Sequence, residues 1–199
     1  LIDGRPRRND PFNGRDDQPG KPTYESLFSI QFIPAYAIAV PARALGLSSA
    51  TVFIWLIVLG AITSSLAIFW LLATLTEDRK LAAVGVLFTL CFGALAAGQG
   101  AARLMLAGQR VHDMFSFLRR YQPSFVFPLF FVFCVLVWRA LTSKSARSRF
   151  VFSLLAGGLF SVLVFSYFFI WTAAAAWLSG LFLLWVLFRR NELTRLLIT

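Results

Sequence analysis

From Ala50 to Phe188 the chain is almost continuously apolar, and the interruptions are short, basic and about one membrane thickness apart. They hold Arg79 and Lys80, then Lys144, Arg147 and Arg149, then Arg189 and Arg190. Residues 51–75 read TVFIWLIVLGAITSSLAIFWLLATL. At ~1.5 Å per residue a helix there reaches about 37 Å, enough for the hydrocarbon with some tilt. A second span is expected over 81–102 and a third over 123–141. Residues 150–188 are apolar throughout. One helix of that length would measure about 58 Å, nearly twice the ~30 Å core, so two spans turning near Phe168–Ala173 fit better. Charge agrees: cations precede and follow this run, and only an even number of crossings returns both sets to one side.

Ahead of these spans lie two different segments. Residues 1–26 are polar and broken by Pro6, Pro11, Pro19 and Pro22. They carry Asp3, Asp10, Asp16, Asp17 and Glu25, with Arg5, Arg7, Arg8, Arg15 and Lys21, and cannot cross a bilayer. Residues 27–47, LFSIQFIPAYAIAVPARALGL, are apolar but interrupted by Gln31, Pro34, Pro41 and Arg43. This pattern predicts a kinked helix in the membrane interface, or a re-entrant one, in preference to a span. The expected protein is all-α and polytopic. It has an extracytoplasmic loop (1–26), an interfacial helix (27–47), about five transmembrane helices (50–190) and a cytoplasmic end (191–199).

Composition fixes the class. Hydrophobic residues make up 58% of the 199, and mean hydropathy is +0.73. No soluble fold keeps so much apolar surface from water. The net charge of +10 is ordinary for a membrane protein with basic cytoplasmic turns. No basic patch lies outside membrane flanks, so a nucleic-acid partner is not expected. Cys91 and Cys134 both sit in apolar runs, with no CxxC, and suggest neither a metal site nor a disulfide.

The positive-inside rule puts the TEDRK, TSKSARSR and RRNELTR breaks in the cytoplasm. Residues 1–26 and 103–122 then share the outer face. The second of these segments carries Arg103, Arg110, Arg119 and Arg120 on the side where cations are unfavoured. Two readings stay open: the arginines bind an anionic headgroup or phosphate, or they snorkel to ordinary lipid. His112 and Asp113 stand side by side in the same segment, though neighbours on a helix point apart. No GxGxxG, P-loop, GxSxG, HExxH or DxD occurs. Among the outer carboxylates Glu25 stands out, because it directly precedes the interfacial segment, where desolvation favours a raised pKa.

The order of these segments resembles the polyprenyl-phosphate-sugar-dependent glycosyltransferases of the GT-C fold. The stretches that carry the resemblance are LIDGRPRRNDPF, YESLFSIQFIPAYAIAVPARALGLSS, the charged turn TLTEDRK, then SFLRRYQPSFVFP and FSYFFIWTAAA. It implies transfer of a sugar from a polyprenyl-phosphate donor to an acceptor on the outer face of a bacterial inner membrane. It implies Glu25 and Asp3 as catalytic carboxylates, and Arg103, Arg110, Arg119 and Arg120 as ligands of the lipid phosphate. Gln31, His112 and Asp113 would contact substrate. A divalent cation, Mg or Mn, is compatible with such a site and not required by it. The family's principal Asp follows a first transmembrane helix that has no counterpart here, and the family has more spans. The chain therefore reads as the N-terminal part of a longer protein that lacks its true start. The rival readings are a lipid or polysaccharide flippase or transporter subunit, and an assembly subunit whose small-residue stripes (Gly93/Ala97/Ala101, Gly157/Ser161) serve packing. A transporter calls for charge near the bilayer midplane, and the centres of the expected spans have none.

Overall fold

The computed structural model describes residues 32–96 and 121–188. Every element in it is helical: α1 (Ile33–Ala44), α2 (Ser49–Thr76), α3 (Arg79–Ala96), α4 (Tyr121–Thr142), α5 (Ala146–Val164) and α6 (Phe168–Phe188). This is an all-α, polytopic membrane protein. Four helices, α2, α4, α5 and α6, are long and apolar enough to cross a bilayer. The expected span over 81–102 corresponds to α3, which opens on Arg79 and Lys80 and is described only to Ala96. The rest of that expected span lies outside the described residues.

Local chemistry sets the boundaries. α2 starts at Ser48, whose Oγ accepts the Thr51 N–H at 3.2 Å, satisfying one of the donors a helix start leaves over. α2 ends at Glu77, which adopts a left-handed φ of 57°. That conformation suits glycine far better than a side chain with a Cβ. Asp78 then opens α3: its Oδ1 accepts the N–H groups of Lys80 at 2.8 Å and Leu81 at 3.3 Å. The charged TEDRK break therefore folds as a C-cap joined to an N-cap, which returns the chain in two residues.

The hairpin expected within 150–188 is present, but its turn is at Phe165–Tyr167 and not at Phe168–Ala173. Ser166 decides this. It is fully buried, and its Oγ donates to the Val162 carbonyl while its N–H and that of Tyr167 donate to Leu163 O. Tyr167 O then accepts from Ile170 and Trp171 to begin α6. A serine inside an apolar run can close one helix and release the next because its hydroxyl takes up a carbonyl that lipid cannot solvate.

Successive helices run antiparallel through these short turns. α2 and α4 run parallel, since the Arg139 guanidinium near the end of α4 lies 5.8 Å from the ring centroid of Trp70 near the end of α2. The contact of α2 with α4 is the most extensive in the fold, followed by α4 with α5 and α2 with α3. α2 buries Gly60, Ser64, Ala67 and Ile68. The core is centred on α4, where Phe133 packs against Phe160 of α5 and Trp177 of α6 at centroid distances of 5.7 and 6.2 Å. The Phe-rich face of α4 thus serves packing in part: Phe133 is core, and Phe125 and Phe130 pack against it. A Cβ at Gly157 of α5 would meet nothing within 4 Å, because Gly157 lines an open cavity of about 360 Å³ between α4, α5 and α6.

Glycine substitutions separate packing from open space. A Cβ at Gly85 of α3 would come within 2.6 Å of Leu72 Cδ1 on α2. Gly85→Val forces that leucine aside and lowers stability by about 1–3 kcal/mol, whereas Gly158→Ala, with open space around it, is neutral or stabilising. Denaturation of the detergent-solubilised variants measures both; equal losses would mean the α2–α3 contact is not as described.

Candidate functional site

α1 is 12 residues long, about 18 Å, and is too short to cross the hydrocarbon. It begins later than expected for residues 27–47, whose first five residues lie outside the described part. Pro34 sits in the first turn, where its missing donor costs nothing, so it starts the helix and does not interrupt it. Pro41 lies inside the helix and leaves a carbonyl one turn earlier without its usual partner. The helix is fastened at its start. The Ile33 N–H donates to Phe165 O at 3.3 Å, Phe32 stacks on Phe165 at 5.8 Å, and Pro34 is buried. α1 therefore bridges the α5–α6 turn and the start of α2, along the end of the bundle away from the TEDRK and TSKSARSR turns.

α1 rests on α4 and makes little contact with α2. Beneath it, between α2 and α4, runs an open-sided groove of about 860 Å³. Ala37, Ile38, Pro41 and Ala42 of α1 roof it. One wall follows α2 from Val52 through Trp55, Leu59 and Leu66 to Trp70, and the other carries Phe125, Pro128, Leu129 and Val132 of α4. Among the described residues the only hydroxyl side chains lining it are Thr63 and Ser124, and the Thr63 Oγ1 already donates to Leu59 O at 2.7 Å. Val52 to Trp70 spans about 27 Å along the helix axis. At the far end of the lining, the ring of Trp70 lies under the Arg139 guanidinium.

A second cavity of about 610 Å³ lies on the other flank of α1 and shares Ile38, Ala42, Leu47, Val52 and Leu56 with the groove. Its lining adds polar groups, from Tyr36, Arg43, Ser48 and Ser49. The two volumes adjoin along these shared residues of α1, the α1–α2 connection and the outer half of α2, and the second carries most of the polar side chains. Each lies within the ~300–1,000 Å³ range of ordinary ligand pockets.

Glu25, Asp3, Gln31, Arg103, Arg110, His112, Asp113, Arg119 and Arg120, the residues singled out from the sequence, all lie outside the described residues. The groove itself was not anticipated. Its wall residues read in sequence only as an ordinary span and a Phe-rich face, although the two prolines of 27–47 did point to a helix that stops short of crossing. The chain matches no protein-family model, no curated protein and no solved structure.

One polar atom beside the groove has no partner. The Ser64 Oγ is buried without a hydrogen bond among the described residues, between groove residues Gly60 and Ala67 along the sequence. Removing an orphan buried hydroxyl relieves its desolvation cost. Ser64→Ala should therefore raise stability by about 1 kcal/mol, read from the denaturation midpoint; a comparable loss would show that the hydroxyl is bonded.

Proposed function

We propose that the protein is a membrane glycosyltransferase of the GT-C type, which accepts a polyprenyl-phosphate-linked sugar and works at the extracytoplasmic face of a bacterial inner membrane. The observation that supports this reading best is the apolar groove itself, whose lining runs about 27 Å along α2, from Val52 to Trp70, and about 12 Å along α4, from Ser124 to Val132. A long apolar chain can lie in it beneath α1. The second, more polar cavity lies at the end of the bundle that the positive-inside rule assigns to the exterior, where a lipid-linked sugar would present its head. Within this reading Glu25 is the carboxylate that contacts donor or acceptor, and the arginines of 103–122 offset charge on the departing phosphate.

A flippase reading fits less well. Moving a headgroup across the bilayer requires polar or charged groups along the path. Among the described residues the middles of α2, α4, α5 and α6 carry no charge, and the groove walls offer two hydroxyls, one of them already bonded to its own helix.

Leu59 is half exposed and lines the groove midway. Leu59→Trp displaces a few methylene groups of a bound chain, each worth about 0.8 kcal/mol. The apparent KM for a long polyprenyl-phosphate sugar should rise about tenfold or more, with little change for a short-chain analogue that does not reach Leu59. Equal effects on both donors, or none on either, would remove the groove from donor binding. Glu25→Ala should abolish sugar transfer in proteoliposomes while leaving insertion and yield intact; full activity in that variant excludes Glu25 from the site.

A further inference from the structure

The cavity of about 360 Å³ between α4, α5 and α6 shares no lining residue with the α2–α4 groove. Its lining runs from Phe133 to Leu141 on α4 and from Ser153 to Phe160 on α5, about 12 and 10 Å along the helix axes. At its deep end Phe133 packs against Phe160 and Trp177. Its other end meets the last turn of α4 and the second turn of α5. Among the described residues Ser153 is the only lining side chain with a polar atom. An apolar slot of this depth fits within one leaflet, about 15 Å or half of the hydrocarbon. The missing Cβ at Gly157, which would meet nothing within 4 Å, recesses its α5 wall.

Cations stand over the shallow end of this slot. Arg149 lies one turn before Ser153 and two before Gly157, on the helix face that lines the cavity. It is half-buried, and the Cα–Cβ bond of a helical residue leans toward the helix N-terminus, which for α5 is the basic end. Lys144 is exposed in the α4–α5 turn, three residues after the lining residue Leu141. The imbalance of charge at this end is a property of the sequence: residues 76–80, 139–149 and 189–199 together hold nine of the 19 basic residues and three of the nine acidic ones. Basic pockets between transmembrane helices take up anionic lipid headgroups, and a guanidinium matches phosphate oxygens with paired hydrogen bonds. We propose that this slot holds one acyl chain of an anionic phospholipid, drawn from the leaflet at the basic end, with its phosphate on Arg149 and Lys144. Charge complementarity selects this occupant. A zwitterionic phospholipid brings the same chain but adds an ammonium that the surrounding cations repel. A second copy of the chain, sharing its orientation in the membrane, would bring its own cationic end to the same level. The site stands apart from the α2–α4 groove and does not depend on how that groove is used.

The test loads the full chain, in a neutral detergent, with an equimolar mixture of dioleoyl phosphatidylglycerol and dioleoyl phosphatidylcholine, and counts the retained lipid by native mass spectrometry. The wild type should retain phosphatidylglycerol over phosphatidylcholine by about tenfold or more. Combining Arg149→Gln with Lys144→Gln should bring that preference down to about twofold or less. Combining Arg79→Gln with Lys80→Gln should leave it in place, because α3 packs on α2, away from the slot. Gly157→Leu should fill the slot and release both lipids, with an unchanged melting profile in lipid-free detergent. Equal retention of the two lipids by the wild type overturns the assignment. So do equal losses in the two charge variants, which would make the cations a general surface and not a site. Unchanged retention in Gly157→Leu removes the chain from the slot. A lowered melting temperature in that variant, or its conversion of a dimer to a monomer, shows that protein already fills the space, and likewise overturns the proposal.

Discussion

The pairing of α2 with α4 is the constraint on which the remaining architecture hangs. Within a bilayer there is no hydrophobic drive to bring two apolar helices together, so close packing of their surfaces has to supply the attraction. α2 buries small residues, Gly60, Ser64 and Ala67, beside Ile68, and small side chains let backbones approach. α4 answers with a wholly buried run, Phe133 to Leu136, that holds α5 and α6 on its other side. With α2 and α4 parallel, a trough is left along one flank of the pair. α1, pinned by its first residues to the α5–α6 turn, closes that trough from above.

The turns show how a lipid-facing protein reverses direction without exposing backbone. Three of them use one short polar side chain to take up a group that water would otherwise solvate: Ser48 before α2, Asp78 before α3 and Ser166 between α5 and α6. The first two lie beside charged or hydroxyl-rich sequence, where such capping is expected. The third lies in apolar sequence and is buried, which is why it escapes a reading based on charge and on Gly or Pro alone.

The groove and the second cavity meet α1 on two flanks. The first is lined almost wholly by apolar side chains, and the second adds Tyr36, Arg43, Ser48 and Ser49. α1 therefore does more than bridge: Ala37, Ile38, Pro41 and Ala42 roof the groove, and Arg43 lines the second cavity.

The sequence by itself determined the class of protein, the places where helices begin and end at charged breaks, and the apolar but proline-broken character of the segment that holds α1. Those features follow from local quantities: apolar length against membrane thickness, proline's missing donor, and the placement of Arg and Lys. It also required an even number of crossings between Arg149 and Arg189, because charge on both flanks has to return to one side. The position of the α5–α6 turn was legible only in part, since Ser166 and Tyr167 form a polar pair in the run but no charge or helix breaker marks them. The groove was not legible at all. Whether Val52, Leu59, Leu66 and Trp70 face lipid, a neighbouring helix or an empty trough depends on how far α2 stands from α1 and α4. That separation is set by side chains distant in the chain, and apolar residues look the same in sequence whichever of these they touch.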